Sequence, residues 1–328
     1  MSRFSIPILL GLVACGGGPK KQADQPILPP DQTPAVTKPE PAPPAKPVEA
    51  EKPAPPMQPA DLALALGETS VKLVSPGKGA LAKLVFAPKA DARQHVEVAI
   101  DFRARQDVGG DPKQAQDDVS PTMILAGDAT AKSAASGADF VLAISEAHAK
   151  DKAGSKLPAA KLEPALSSLV GMTMSGTVAA AGTSPELKLH IEKPDAMTSS
   201  ALQLVGLAWP EWVPFPAEKI GVGAKWEATA KTLIAGKLAV TRVTQYEVTA
   251  HKGAAWTVKA TSKVTGADQD LDGTKASNIA GSGSGELTIT DGAIYPASTT
   301  KGETHFTVDA GDKKLSISLE TAATITVK

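Results

Sequence analysis

The chain has 328 residues, 34 Lys and Arg against 35 Asp and Glu, a formal net charge of −1, 4% aromatic residues and one cysteine. The balanced charge and the lack of a Lys/Arg block exclude the basic stripe of a nucleic-acid binder, and so few aromatic residues offer no platform on which bases could stack. One cysteine excludes an internal disulfide and a cysteine-rich zinc site.

The chain begins with Met1-Ser2-Arg3, followed by an apolar run of eleven residues, Phe4 to Ala14. A bilayer span needs about 20 apolar residues, so this run has the length of a secretory signal core. The next residues, Leu12-Val13-Ala14-Cys15, resemble a bacterial lipobox. The resemblance implies cleavage of a 1–14 signal peptide before Cys15, a diacylglycerol on its sulfur and acylation of its new amino group. A thiol suits that role because the thiolate is a strong nucleophile. Gly16 stands where an inner-membrane retention signal would have Asp, so by analogy with lipoprotein sorting the expected address is the outer membrane, facing the periplasm or the surface. Several acyl chains at about 0.8 kcal/mol per buried CH₂ make such an anchor effectively permanent.

Residues 16–60 contain 14 of the 27 prolines, with five Lys balanced by five Asp and Glu. Proline at that density removes backbone donors and fixes φ, which leaves polyproline II and a disordered linker over 15–60. At ~3.1 Å per residue the 45 residues of 16–60 could reach about 140 Å. Several P-x-x-P spacings offer a second reading, a ligand for a partner's groove.

From residue 61 the apolar pattern has period 2. Val96, Val98, Ile100 and Phe102 share one face of His95–Arg103, with Glu97, Asp101 and Arg103 on the other, which predicts a half-buried strand. The acidic stretch Asp107–Asp118 reads as a mobile loop. Leu162, Leu166 and Leu169 are spaced for a helix, and Asp195 could cap a second one over 195–211 carrying Met197, Ala201, Leu204 and Ala208. Tyr246, Val248 and Ala250 alternate before His251-Lys252-Gly253, and Trp256, Val258 and Ala260 follow, as in a hairpin. Leu287 and Ile289 lead into the turn dipeptide Asp291-Gly292, with Ile294 beyond. Leu315, Ile317, Leu319, Ala323, Ile325 and Val327 hold one parity to the end.

These elements predict a mainly β fold: long antiparallel strands in curved sheets or a half-barrel, with two short helices. "MSGTVAAAGTSPELKLHIE" (174–192) loosely echoes "SGELTITDGAIYPASTTKG" (284–302). The echo is consistent with two diverged β-rich halves, 61–194 and 212–328, joined by the 195–211 helix.

Pro216, Ile220, Val222, Gly223 and Trp226 resemble the Pro-x-x-x-Val-x-Val-Gly-x-x-Trp signature of an uncharacterised family of bacterial secreted and lipoprotein β domains. Leu169-Val170-Gly171 and the hairpin region Gly283–Pro296 extend the resemblance over most of 61–328. It implies a fold and no activity. Gly223 is expected to let a strand approach closely, and Trp226 to fill the core.

Asp268, Asp270 and Asp272, followed by Gly273, have the spacing of the start of a calcium loop. Positions 8 and 12 of such a loop would be Lys275 and Ile279, where an apolar residue and a bidentate Glu belong, so the alternatives are a weak calcium site and a solvated acidic turn. His95, His148, His190, His251 and His305 have no zinc spacing, Gly281–Gly285 has no following Lys-Ser/Thr, and no G-x-S-x-G is present. The expected function is therefore not enzymatic, with no cofactor beyond the Cys15 lipid and weak calcium. It is a lipoprotein displaying a binding or assembly domain, held to the membrane by its lipid, with an unknown envelope protein or an apolar ligand as partner and no nucleic acid. A carrier of a lipid or other apolar ligand is the alternative.

Overall fold

The computed structural model describes residues 59–328 except 110, 135–136, 193, 195–197, 199–201, 203–211, 235–236, 272 and 311–312. The chain divides into two units, 1–56 and 57–328, and the described residues belong to the second. Cys15, the linker and almost all of the helix expected over 195–211 lie outside them.

The body is mainly β and antiparallel throughout. Its first strands are β1 (Ala60–Ala65), β2 (Thr69–Ser75), β3 (Lys78–Ala82), β4 (Ala92–Val108), β5 (Asp111–Val119), β6 (Thr122–Ala134) and β7 (Gly137–Lys150). After a 3₁₀ turn (Ala159–Lys161) and the short helix α1 (Glu163–Ser167) come β8 (Thr173–Ala179), β9 (Glu186–Ile191), β10 (Ile220–Val222), β11 (Lys225–Ile234), β12 (Leu238–Lys252) and β13 (Ala255–Thr265). The chain closes with β14 (Gln269–Leu271), β15 (Thr274–Thr290), β16 (Ala297–Ala310) and β17 (Lys313–Val327).

One 15-stranded sheet runs in the order β1-β9-β8-β7-β6-β4-β17-β16-β15-β13-β12-β11-β2, with β5 paired to β4 and β14 to β15; β10 and β3 make a separate pair. Strands β4 to β9 step away from β4 to one edge, and β11 to β17 step back from the other edge until β17 pairs with β4. The two edge strands, β1 and β2, are consecutive in the chain and joined by Leu66, Gly67 and Glu68 alone. Four Cα–Cα steps of 3.8 Å span at most about 15 Å. The edges of the sheet therefore come together at that link, and the sheet must curl to let them.

Period-2 alternation sets the concave face. Val96, Val98 and Ile100 of β4 are buried, as are Leu315, Leu319, Ala323 and Ile325 of β17. Leu162, Leu166 and Leu169 are buried too, packed through the 3₁₀ turn and α1. Register shifts interrupt the alternation in several strand pairs, among them two in β12 and β15. In β12 the register slips between Val248 and Ala250, so Ala250 leaves the face that Tyr246 and Val248 share. In β15 it slips between Ser277 and Ala280, around Asn278 at φ 55°.

Two expectations need correction. Asp107–Asp118 is not a loop: it forms the end of β4 and most of β5, paired from Arg103↔Val119 to Val108↔Asp111, with Arg103 donating to both Asp117 carboxylate oxygens at 2.8 and 2.6 Å. Its polar residues misled because β5 lies off the main path of the sheet and adds little to the core. The Asp291-Gly292 hairpin is also wider than two residues. β16 begins only at Ala297, and Ile294 and Tyr295 turn inward to full burial instead of continuing a strand.

Candidate functional site

Trp212-Val213-Pro214-Phe215-Pro216, with no strand or helix of its own, is buried along its whole length. Phe215 N–H donates to the Ala181 carbonyl at 2.7 Å, Trp212 Nε1 to the Ile294 carbonyl at 3.3 Å, and Trp226 Nε1 to the Pro214 carbonyl at 2.8 Å. Trp212 packs on Phe140 at 4.5 Å and on Tyr295 at 5.2 Å between ring centroids. The segment thus ties the β8–β9 turn, the β15–β16 connection and β11 into one aromatic core. Trp226 is fully buried and stacks on Tyr246 at 5.1 Å.

A second apolar cluster stands at the opposite ends of the same strands, built from Leu238, Leu271, Ile279, Phe306, Val308 and Leu315. Between the two clusters the inward-facing residues shrink. The register aligns Ala228, Thr244, Ser262, Gly283, Gly302 and Thr321 in one row across six strands, β11 to β17, with no side chain larger than Thr. Gly285 and Gly281 of β15 lie in the rows on either side, where a Cβ would come within 2.8 Å of Thr300 Cγ2 and 2.4 Å of the Glu303 carbonyl oxygen, respectively. The row of small side chains leaves a cavity of about 290 Å³. Its wall is this row with its neighbours, and Trp212, Val213 and Pro214 close one side. Leu66, Thr69 and the β8–β9 turn at Gly182–Ser184 border it where the two sheet edges meet.

Hydroxyl groups stud a cavity lining that is otherwise mostly apolar. Thr244 is only 9% exposed, and neither it nor Ser262, Thr304 or Thr321 makes a side-chain hydrogen bond among the described residues. Arg242 is the one charged side chain that strand parity directs into the cavity, in the row of Ala230, Val264 and Thr304. None of the sequence-derived site residues that are described lines this space. The signal that could have found it is the run Gly281-Ser282-Gly283-Ser284-Gly285, which has no phosphate-loop context and lies inside β15.

The acidic loop forms a tight hairpin. β14 pairs with β15 through Leu271↔Thr274, and Gly273 takes φ 81° in the turn. Asp270 Oδ1 accepts from the Gly273 N–H at 2.9 Å, and Asp268 sits 2.9 Å from Lys275 Nζ, which raises the lysine's pKa. Asp272 lies outside the described residues. No group of three His, Cys, Asp or Glu able to hold a metal occurs among the described residues.

The histidines stay apart. His95 pairs with Asp128 at 2.9 Å, and His251 stacks on Trp256 at 3.6 Å. His190 lies between Asp61 of β1 (2.8 Å) and Glu192 (3.2 Å), and its pKa is raised by the hydrogen bond to Asp61 and then that to Glu192.

Pro216 is buried at the end of the inserted segment. The expectation for Gly223 needs correction: a Cβ there would meet nothing within 4 Å, and the glycine is required by φ 80° in the β10–β11 turn. The close approach belongs to Gly221, where a Cβ would lie 2.5 Å from the Lys78 carbonyl oxygen of β3. Compared with known proteins, the chain matches no family model and no curated protein.

Proposed function

We propose that this chain is an envelope lipoprotein, anchored in the outer membrane through lipid on Cys15, that holds a non-enzymatic binding domain on a Pro-rich stalk. The lipobox at Leu12–Cys15 and the proline density of 16–60 support the tether. We read the curled sheet as a half-barrel whose seam lies between β1 and β2, and the Pro216–Trp226 pattern as that of the uncharacterised β-domain family. The observation that carries the binding function is the cavity of about 290 Å³ on the concave face, between two apolar clusters that would otherwise merge into one core. Ligand sites run from about 300 Å³ upward, so the space suits a small molecule or one segment of a larger one. A carrier of an apolar ligand is the alternative occupant of the same seat.

The test is native mass spectrometry of the lipidated protein purified from membranes, beside a Gly302→Ile variant. A Cβ at Gly302 meets nothing closer than 3.5 Å, so a branched side chain enters the cavity without backbone strain. A bound small molecule present in the wild type and missing from Gly302→Ile supports the reading. Identical spectra with no adduct count against it.

A further inference from the structure

We infer that the cavity seats a compact hydroxyl-rich molecule, of which a pyranose sugar is the type, and not a hydrocarbon chain; the inference rests on the cavity being a ligand site. Thr244 carries the argument. Its side chain is nine-tenths buried, faces the cavity from β12, and has no hydrogen-bond partner among the described residues. Ser262 is its neighbour on β13, and Thr321 and Thr304 continue the hydroxyl lining on β17 and β16. Each hydroxyl is both donor and acceptor, so together they match a ligand that offers both along its edge.

A hydrocarbon occupant would strip water from these four groups and return no hydrogen bond, the most costly way to bury a polar atom. A sugar ring replaces that water group for group. Its axial and equatorial C–H faces meet the apolar side formed by Trp212, Val213 and Leu287. Gly302, in the row of Thr244, leaves the backbone of β16 open, and on β15 the Ser262 hydroxyl covers Gly283, so a ring lying against β16 meets that hydroxyl at its edge.

The experiment is saturation-transfer NMR and thermal-shift titration on the full chain. The probes are glucose, N-acetylglucosamine, maltose and trehalose, beside dodecanoate as the hydrocarbon. The proteins are wild type, Gly302→Ile, Thr244→Val and Ser262→Ala; the Val replacement keeps shape and β-propensity while deleting the hydroxyl. The expected result is transfer to at least one sugar, abolished by Gly302→Ile and weakened about tenfold by Thr244→Val or Ser262→Ala at an unchanged unfolding midpoint. Dodecanoate should not compete. Binding of dodecanoate, expelled by Gly302→Ile, with no sugar bound, would overturn the ligand class and leave the cavity as a binding site. If no probe distinguishes wild type from Gly302→Ile, both this inference and the binding reading fail.

Discussion

Tyr295→Phe should stabilise the fold. The Tyr295 side chain is 3% exposed, set edge-on to Phe140 at 6.3 Å and against Trp212 at 5.2 Å. Its backbone is fixed by Gln94 of β4, whose Oε1 accepts from the Tyr295 N–H at 2.7 Å and whose Nε2 donates to the Tyr295 carbonyl at 3.2 Å. The phenol oxygen, however, is buried without a partner among the described residues. A buried unsatisfied polar group costs about 1–3 kcal/mol, and the ring's packing survives in Phe. The variant should therefore gain about 1 kcal/mol or more, which in a domain of this size raises Tm by about 2–4 °C per kcal/mol.

The pH dependence gives an independent check. Burial raises the Tyr295 pKa above its ordinary value of 10.0. Above pH 10 the unfolded chain loses this proton while the folded protein keeps it, so the folded state's advantage is intact below pH 10 and falls as pH rises beyond it. Phe has no such proton, and the gap between variant and wild type should widen by up to about 1.4 kcal/mol per pH unit above 10. Urea unfolding at pH 7, 9 and 10.5 measures both effects. A loss of about 1 kcal/mol in the variant at pH 7, with a gap that does not widen, would refute the reasoning. It would place a water in the adjoining hole of about 30 Å³, bonded to the hydroxyl.

Four further outcomes can be checked. Gly221→Ala should destabilise by about 1–3 kcal/mol through overpacking against Lys78, and Gly223→Ala by about 1 kcal/mol through backbone strain at φ 80°; equal stability of Gly221→Ala and wild type in urea would show that β10 and β3 can separate freely. The raised pKa of His190 stabilises the edge strand β1 below pH 6.5, and this is lost as pH rises through the folded-state value, so amide exchange in 60–65, corrected for intrinsic rates, should speed up from pH 5.5 to 8 in the wild type but not in His190→Gln. Thermal unfolding in chelator and in calcium should coincide, while Asp270→Ala loses about 0.5–1.5 kcal/mol with the Gly273 bond in either solution; a calcium-dependent rise in Tm that Asp270→Asn abolishes would instead establish the site. Cys15→Ala should leave the protein soluble or as an uncut precursor, and processed protein still in the membrane fraction would remove the lipid anchor from the proposal.

The sequence by itself determined the long strands and which of their faces is dry. Val96, Val98 and Ile100, like Leu315 through Ile325, announce their face because period-2 alternation is a local consequence of pleating. Hairpins with tight turns, such as β12–β13 around Gly253, were legible for the same reason. Only the tertiary structure decided the rest. The bulges at Thr249 and Asn278 change which residues face inward without altering composition, and the parting of β1 from β2 follows from pairing with β9 and β11, far along the chain. The segment Trp212–Pro216 is core but carries no periodicity, because it is neither strand nor helix. The cavity is the extreme case. It is a deficit of side-chain volume summed over Ala228, Thr244, Ser262, Gly283, Gly302 and Thr321, residues spread over nearly a hundred positions. Each is an ordinary small residue in its own strand, and only the register of six strands sets them side by side.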